Sequence, residues 1–253
     1  MSILGKIKRE LISLHSALQY RLAFDDTSAQ TIIDRFHRLY FDSHALGKTW
    51  MSTSWMGVPV RKCPTDLWKY QELLYELRPD VIIETGTQLG GSAYYFASLC
   101  DLLGKGRVIT IDVDTVEDSL AKEHNAVGMA RPEHPRISYL RGSSTSDDVV
   151  HRVKESIQPG ETVFVVLDSD HKKKHVLGEL RAFAPLVPVG GYIVVEDTNV
   201  NGHPILPDFG PGPHEAVNDF LQENNDFVMD RSRESHLMTF NPCGYLRRVT
   251  GEG

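Results

Sequence analysis

Cysteine is scarce in this 253-residue chain: Cys63, Cys100 and Cys243 stand far apart. Three thiols at such spacings make neither a disulfide framework nor a zinc motif, and they suit a reducing compartment. Long apolar runs are missing too. The opening Met-Ser-Ile-Leu-Gly-Lys-Ile-Lys-Arg-Glu lacks the apolar core of a signal peptide, and no stretch approaches the ~20 apolar residues of a membrane span. A cytoplasmic location is the expectation. Basic residues are outnumbered, 27 to 34, for a formal net charge of −7. Nucleic acid is bound through basic faces, so it is not expected as the main partner. The Gly-x-Gly-x-x-Gly of dinucleotide enzymes is absent, which counts against an NAD-dependent oxidoreductase. None of the eleven histidines has an acidic residue two positions on, as a non-haem iron site usually needs. The length allows one sizeable α/β domain with an appendage and is short for two domains.

What is present centres on Asp80–Ser92, Asp-Val-Ile-Ile-Glu-Thr-Gly-Thr-Gln-Leu-Gly-Gly-Ser. A β-branched run ends in Glu84 and breaks into a turn with Gly86, Gly90 and Gly91. Ser92 and a helix-compatible segment follow. Strand, glycine turn and helix form the entry to a nucleotide-type site, where glycines let a ligand approach the backbone and free N–H groups face it. The pattern Glu-x-Gly-x-x-x-Gly-Gly puts a carboxylate before the first glycine, which suits a cationic, hydroxyl-rich ligand better than a pyrophosphate. S-adenosylmethionine, with an ammonium and a ribose, fits that description. The alternative is a tight strand–helix turn of no special purpose.

Residues 1–45 carry apolar positions at helical spacing (Ile7, Leu11, Leu14, Leu18, then Ile32, Ile33, Phe36, Leu39, Tyr40), as a packing arm or an oligomer contact would. Homo-oligomerisation is the expectation. Residues 46–64 are irregular yet rich in Trp and Met, and should cover either the core or a ligand pocket. We therefore divide the chain into a helical arm and lid segment at 1–64 and a main domain at 65–253. A helix starts at Pro64 and stops before Pro79. Strand-like runs then recur at 80–84, 107–112, 136–140, 162–168 and 190–196, separated by helix-compatible segments. Near-continuous apolar strands alternating with helices mean an α/β fold whose mostly parallel sheet is covered on both faces. Runs at 237–240 and 245–249, joined by the turn Asn241-Pro242-Cys243-Gly244, predict a C-terminal β-hairpin.

Four of the five runs end in acid: Glu84, Asp112, Asp168 and Glu196. In an open parallel sheet ligands lie beyond the carboxyl ends of the strands, so these carboxylates gather at one edge. Asp112, about twenty residues past the glycine turn, stands where an acid binds ribose hydroxyls. Ser143 and Ser144 follow the third run, near an adenine or as a helix cap. Asp168-Ser169-Asp170-His171 and Glu196-Asp197 bring four carboxylates together, which repel unless a cation offsets them. Mg²⁺, or another divalent cation such as Ca²⁺ or Mn²⁺, is the economical answer. His171 could serve as base towards a hydroxyl nucleophile. The loop 198–213, with His203 ahead of His214, is the substrate-side candidate.

The runs Val-Leu-Asp-Ser-Asp-His-x-x-x-His-Val-Leu, Glu-Asp-Thr-Asn-Val-Asn-Gly-His-Pro and Phe-Gly-Pro-Gly-Pro-His-Glu-Ala-Val resemble the cephalosporin hydroxylase / rhamnosyl O-methyltransferase family, from about Gly47 to Phe220. The resemblance implies a Rossmann-like class I methyltransferase fold, S-adenosylmethionine and a magnesium site at the strand ends. It implies Glu84, Gly86 and Asp112 for the cofactor, beside the glycine-turn residues Gly90 and Ser92, with Asp168 at the same edge. Glu196 and Asp197 become metal ligands, and either Asp168 or Asp170 the third. The activity so implied is methylation of a hydroxyl on a sugar, in a glycolipid, a polysaccharide or a glycosylated natural product. A non-catalytic protein that binds S-adenosylmethionine or a nucleotide in support of a separate enzyme is the alternative.

Overall fold

The computed structural model describes residues 26–115 and 130–251. The apolar positions Ile7 to Leu18 lie outside the described residues. Helix α1 spans Asp26–Asp42 and is followed by two short 3-10 turns. The short strands β1 (Ser54–Trp55) and β2 (Val58–Pro59) pair antiparallel, and α2 covers Pro64–Leu77. Then come β3 (Val81–Thr85), α3 (Gly91–Leu103), β4 (Arg107–Asp112), β5 (Ile137–Arg141), α4 (Asp147–Ser156), β6 (Val163–Leu167), α5 (Lys173–Phe183), β7 (Tyr192–Val195), α6 (Pro213–Glu223), β8 (Phe227–Met229) and β9 (Tyr245–Arg248). Among the described residues no helix is long and apolar enough to cross a membrane.

The seven-stranded sheet has the order β5-β4-β3-β6-β7-β9-β8. Strands β3 to β7 run parallel, while β9 is antiparallel to both β7 and β8. Period-two alternation explains why these strands read as continuous apolar runs. Val81, Ile83, Val163, Val165 and Leu167 face one core with Val153, Leu180, Phe183 and Phe220. Ile82, Phe164 and Val166 face the other with Tyr70, Leu73, Phe96 and Ala97. The chain steps from β3 out to β5 and returns beyond β3 as β6, so the order reverses between β3 and β6. That reversal opens a crevice at the carboxyl ends of these two strands.

The C-terminal hairpin is present with a different partner from the one the turn at 241–244 predicts. Strand β9 pairs with Phe227–Met229. Residues 238–240 are tied to the start of α2 instead: Thr65 Oγ1 donates to the Met238 carbonyl at 2.8 Å, and the Phe240 N–H to Asp66 at 2.8 Å.

The segment 46–64 divides between the two roles the sequence allows. Trp55 packs edge-on to Tyr95 at 4.9 Å and donates to Ser98, so it belongs to the α3 core. Trp50 stacks on Phe41 at 5.3 Å and lines the crevice. Gly91 is what lets β2 lie on the start of α3, since a Cβ there would sit 1.9 Å from the Pro59 carbonyl oxygen.

Helix α1 docks through His37, which stacks on Phe240 at 5.3 Å and bonds Asn199 at 2.9 Å. Burial lowers its pKa to about 4, against the opposing charge of Asp34. An unfolded histidine titrates near 6.5, so this contribution to stability is complete above that pH and is lost as pH falls towards 4, by about 3 kcal/mol at most. Acidification from pH 7 to 4.5 is expected to shift tryptophan emission to the red as Trp50 loses its cover. A His37→Gln chain should lack that step, and an identical step would refute the assignment.

Candidate active site

The site is built on the crevice at the β3–β6 reversal. Gly86 leaves β3 with φ +91°, and a Cβ on it would lie 1.9 Å from the Asp168 carbonyl oxygen. Only glycine satisfies both the left-handed backbone and that approach. The loop then turns at Gly90 (φ +80°) into α3, whose first residues, Gly91 and Ser92, line the crevice and whose first-turn N–H groups lack intrahelical partners. At the end of β4, Asp112 accepts from the Gln88 N–H at 2.7 Å and the Asp114 N–H at 2.9 Å. It fixes the glycine loop and keeps lone pairs for a ligand. A cavity of about 570 Å³ fills the space, in the usual size range of small-molecule sites. Of the residues expected from sequence, Gly86, Ser92, Asp112, Ser143, Ser144, Asp168, Asp170, His171 and Asp197 line it. Gly90 shapes the loop behind it. Glu84 lies buried below, accepting from Thr110 at 2.7 Å, and burial pushes its pKa up to about 7.

A second cavity, about 190 Å³, opens beside the first. Phe41, Phe209 and Phe240 give it an aromatic wall, while Trp50, Arg61, Asp168, His171 and Asp197 line both spaces. The two cavities therefore meet at a group of titratable side chains. Asp168, His171 and Asp197 each bring one ligand atom within 4.8 Å of the others, the single such group among the described residues. His171 Nε2 lies 3.3 Å from Asp197 Oδ2. Asp197 holds a left-handed backbone (φ 53°), which Asp tolerates better than most residues, and its N–H donates to Asn241 Oδ1 at 3.2 Å. Asp170 also lines the large cavity but is not in this group; it is exposed and accepts from the Lys172 N–H at 3.2 Å.

Glu196 has partners that the sequence does not announce. Lys62 Nζ, buried, donates to Glu196 Oε1 at 2.6 Å and to Asp168 Oδ2 at 2.7 Å. The Tyr70 hydroxyl donates to the same Glu196 oxygen at 2.6 Å. Burial raises the pKa of Asp168, Glu196 and Asp197 while Lys62 works against it. For Lys62 burial pulls downward, but Asp168, Glu196 and Glu84 outweigh it and the net shift is upward. Burial likewise opposes the upward shift of His171, which Asp197, Asp168 and Glu196 impose.

Two further side chains escape sequence reasoning. Glu179, fully buried on α5, accepts from both Ser144 and Ser169 and so holds the hydroxyls at the far end of the large cavity. Glu215 organises the loop 198–213, accepting from the Gly212 N–H at 2.7 Å and from Asn201 and His203 at 3.0 Å. Burial opposes the shift, but these donors hold its pKa down to about 2. His203 and His214 stack at 3.8 Å and line neither cavity, so this loop meets the small cavity through Val200, Leu206 and Phe209.

Comparison with known proteins agrees with this arrangement. The family model described as Rhamnosyl O-methyltransferase/CmcI matches residues 47–249. The Rhamnosyl O-methyltransferase of Mycobacterium bovis (strain BCG / Pasteur 1173P2) is 35% identical over 243 residues, covering 94% of this chain and 93% of that protein. Its namesake from Mycobacterium leprae is 34% identical, covering 95% and 98%. A CmcI structure described with Mg and SAM has a TM-score of 0.58 at 22% identity, over 83% of this chain and 84% of its own, which supports the class I methyltransferase fold. Strand ends, glycine loop and family match converge: the chain belongs to the Rhamnosyl O-methyltransferase/CmcI family.

Proposed function

We propose that the protein transfers the methyl group of S-adenosylmethionine to a hydroxyl of a sugar, with a divalent cation, Mg²⁺ first, assisting. The observation that carries this is the junction of the two cavities at Asp168, His171 and Asp197. The large cavity suits the cofactor: Gly86 lets a ligand lie close to the backbone, the start of α3 offers N–H groups, Asp112 suits ribose hydroxyls, and Ser143 and Ser144 stand at the far end. S-adenosylmethionine supplies an electrophilic methyl on a sulfonium. The small cavity, with its aromatic wall and polar floor, suits one sugar ring, whose C–H faces pack on aromatic surface.

The paired carboxylates of Asp168 and Asp197 fit a hard divalent cation that takes oxygen ligands, and burial makes such a pair costly when it is not neutralised. Asp168 and Asp197 would hold it, with Glu196 beside them. Such an ion supplies Lewis acidity that lowers the pKa of a bound hydroxyl. His171, whose Nε2 faces Asp197 at the edge shared by both cavities, accepts the proton from the attacked oxygen through its other ring nitrogen. Asp197 orients the imidazole, and Trp50 with Phe41 limits water at the junction.

Calorimetric titration with S-adenosylhomocysteine, with and without Mg²⁺, tests the cofactor half. Micromolar binding by the wild type is expected, weakened about tenfold or more in Asp112→Ala, where ribose contacts and the loop anchor go together (about 1.4 kcal/mol per tenfold). Absence of binding under every condition sinks the methyltransferase reading. Binding without turnover on any rhamnoside or other glycoside would favour the non-catalytic alternative.

A further inference from the structure

We propose that Glu179 makes the far end of the large cavity a reader of the adenine amino group, by turning the hydroxyl protons of Ser144 and Ser169 away from the ligand. This rests on the cofactor reading above, and it concerns a positioning residue that lines neither cavity.

Helix α5 lies close against the turn that follows β5. A Cβ on Gly178 would stand 3.1 Å from the Thr145 methyl, so the glycine lets its neighbour Glu179 reach Ser144. Glu179 is fully buried, and its Oε1 accepts from Ser144 and, at 2.6 Å, from Ser169. Its Oε2 is buried with no hydrogen-bond partner. Among the described residues its ion-pair partner is His175, whose Nε2 lies 3.4 Å from Oε1. A buried carboxylate that is only half satisfied weakens a fold, so stability does not account for it. Its effect on the cavity does.

A carboxylate accepts and cannot donate, so both serine protons point at Glu179. His175 Nε2, 3.1 Å from Ser144 Oγ, must then carry a hydrogen and donate it to that oxygen. A lone pair remains on each serine oxygen, and both residues line the cavity. Two oxygens that can only accept call for a group that donates twice. The 6-amino group of adenine is such a group, and the order of the strands puts it there. Asp112, which suits the ribose, ends β4, and Ser144 follows the neighbouring strand β5. A 6-oxo purine would instead set its carbonyl lone pairs against those of the serines.

S-adenosylhomocysteine and its 6-oxo analogue, S-inosylhomocysteine, differ only at that edge of the base. Calorimetry on the wild type is expected to show the amino compound bound at least about thirtyfold more tightly. Glu179→Gln places an NH₂ beside the serines, so a hydroxyl can turn its proton to the cavity. The preference should then fall to about fivefold or less, through a gain by the oxo compound. A merely structural role for Glu179 would weaken both ligands alike and leave the ratio unchanged. If Glu179→Gln does not fold, Ser144→Ala carries the test. It should weaken the amino compound at least about fivefold and the oxo compound less than about twofold. Equal wild-type affinities, or a wild-type ratio in folded Glu179→Gln or in Ser144→Ala, overturn the proposal and leave the cofactor reading standing. A wild type that binds neither compound removes both.

Discussion

His171→Ala is expected to lower turnover about 10²–10⁴-fold, the range for loss of a positioned general base, while S-adenosylhomocysteine binding stays within threefold. The split follows from location. His171 stands at the junction of the cavities and donates nothing to the glycine loop, so the cofactor side should not feel its removal. His171→Gln keeps a polar group of similar reach and cannot take up a proton at neutral pH, so it should be as slow as the alanine variant. Rescue of His171→Ala by millimolar imidazole would strengthen the assignment. A fall of less than fivefold in turnover on a saturating glycoside acceptor would remove His171 from the proton path.

Gly86→Ala should do the reverse, weakening the cofactor side and the fold together. The new Cβ would meet the Asp168 carbonyl at 1.9 Å in a backbone region with φ +91°. Neither conflict is relieved by a rotamer change, because the obstacle is main chain. The ends of β3 and β6 must part at Thr85–Leu167, where the Asp168 N–H donates to the Thr85 carbonyl at 3.0 Å. A loss of at least about 2 kcal/mol is expected, or roughly 4–8 °C in Tm, with cofactor affinity down tenfold or more. A variant with wild-type Tm and wild-type affinity would contradict the close approach. Gly104→Ala is the control: it too has positive φ (+67°), but nothing lies within 4 Å of its Cβ, so only the backbone strain remains.

Local patterns made much of this legible. The run Val81-Ile82-Ile83 feeding a glycine turn, and the acids closing four strands, locate the crevice before any coordinate does. The helix from Pro64 ends at Leu77, ahead of Pro79 as read. What sequence cannot carry is distance in space between residues far apart in the chain. Lys62 meets Asp168 and Glu196 across 106 and 134 positions. Its signal was one of two lysines in the segment 46–64, next to Arg61 and just before a helix, a position where a solvated lysine would look the same. Glu179 reads as an ordinary polar position on an amphipathic helix, although it is fully buried beneath Ser144 and Ser169. The hairpin partner was misplaced because 237–240 is apolar for a different reason: Met238 and Phe240 pack in a small cluster with Cys63, beside Tyr40, Phe41 and Trp50.

Strand β9 lies between β7 and β8, yet it follows every other strand in the chain. During synthesis β7 must therefore wait with an open edge until some fifty residues more have emerged, and an open edge invites unwanted pairing. The same late arrival sets the chemistry in place: the Val195 N–H donates to the Gly244 carbonyl at 2.8 Å, and Asn241 pins the Asp197 backbone. A nascent chain can have a formed glycine crevice while its acidic junction is still unset. Ribosome-bound intermediates should accordingly gain cofactor affinity before they gain the ability to turn over, which would make methylation a property acquired only as the sheet is closed.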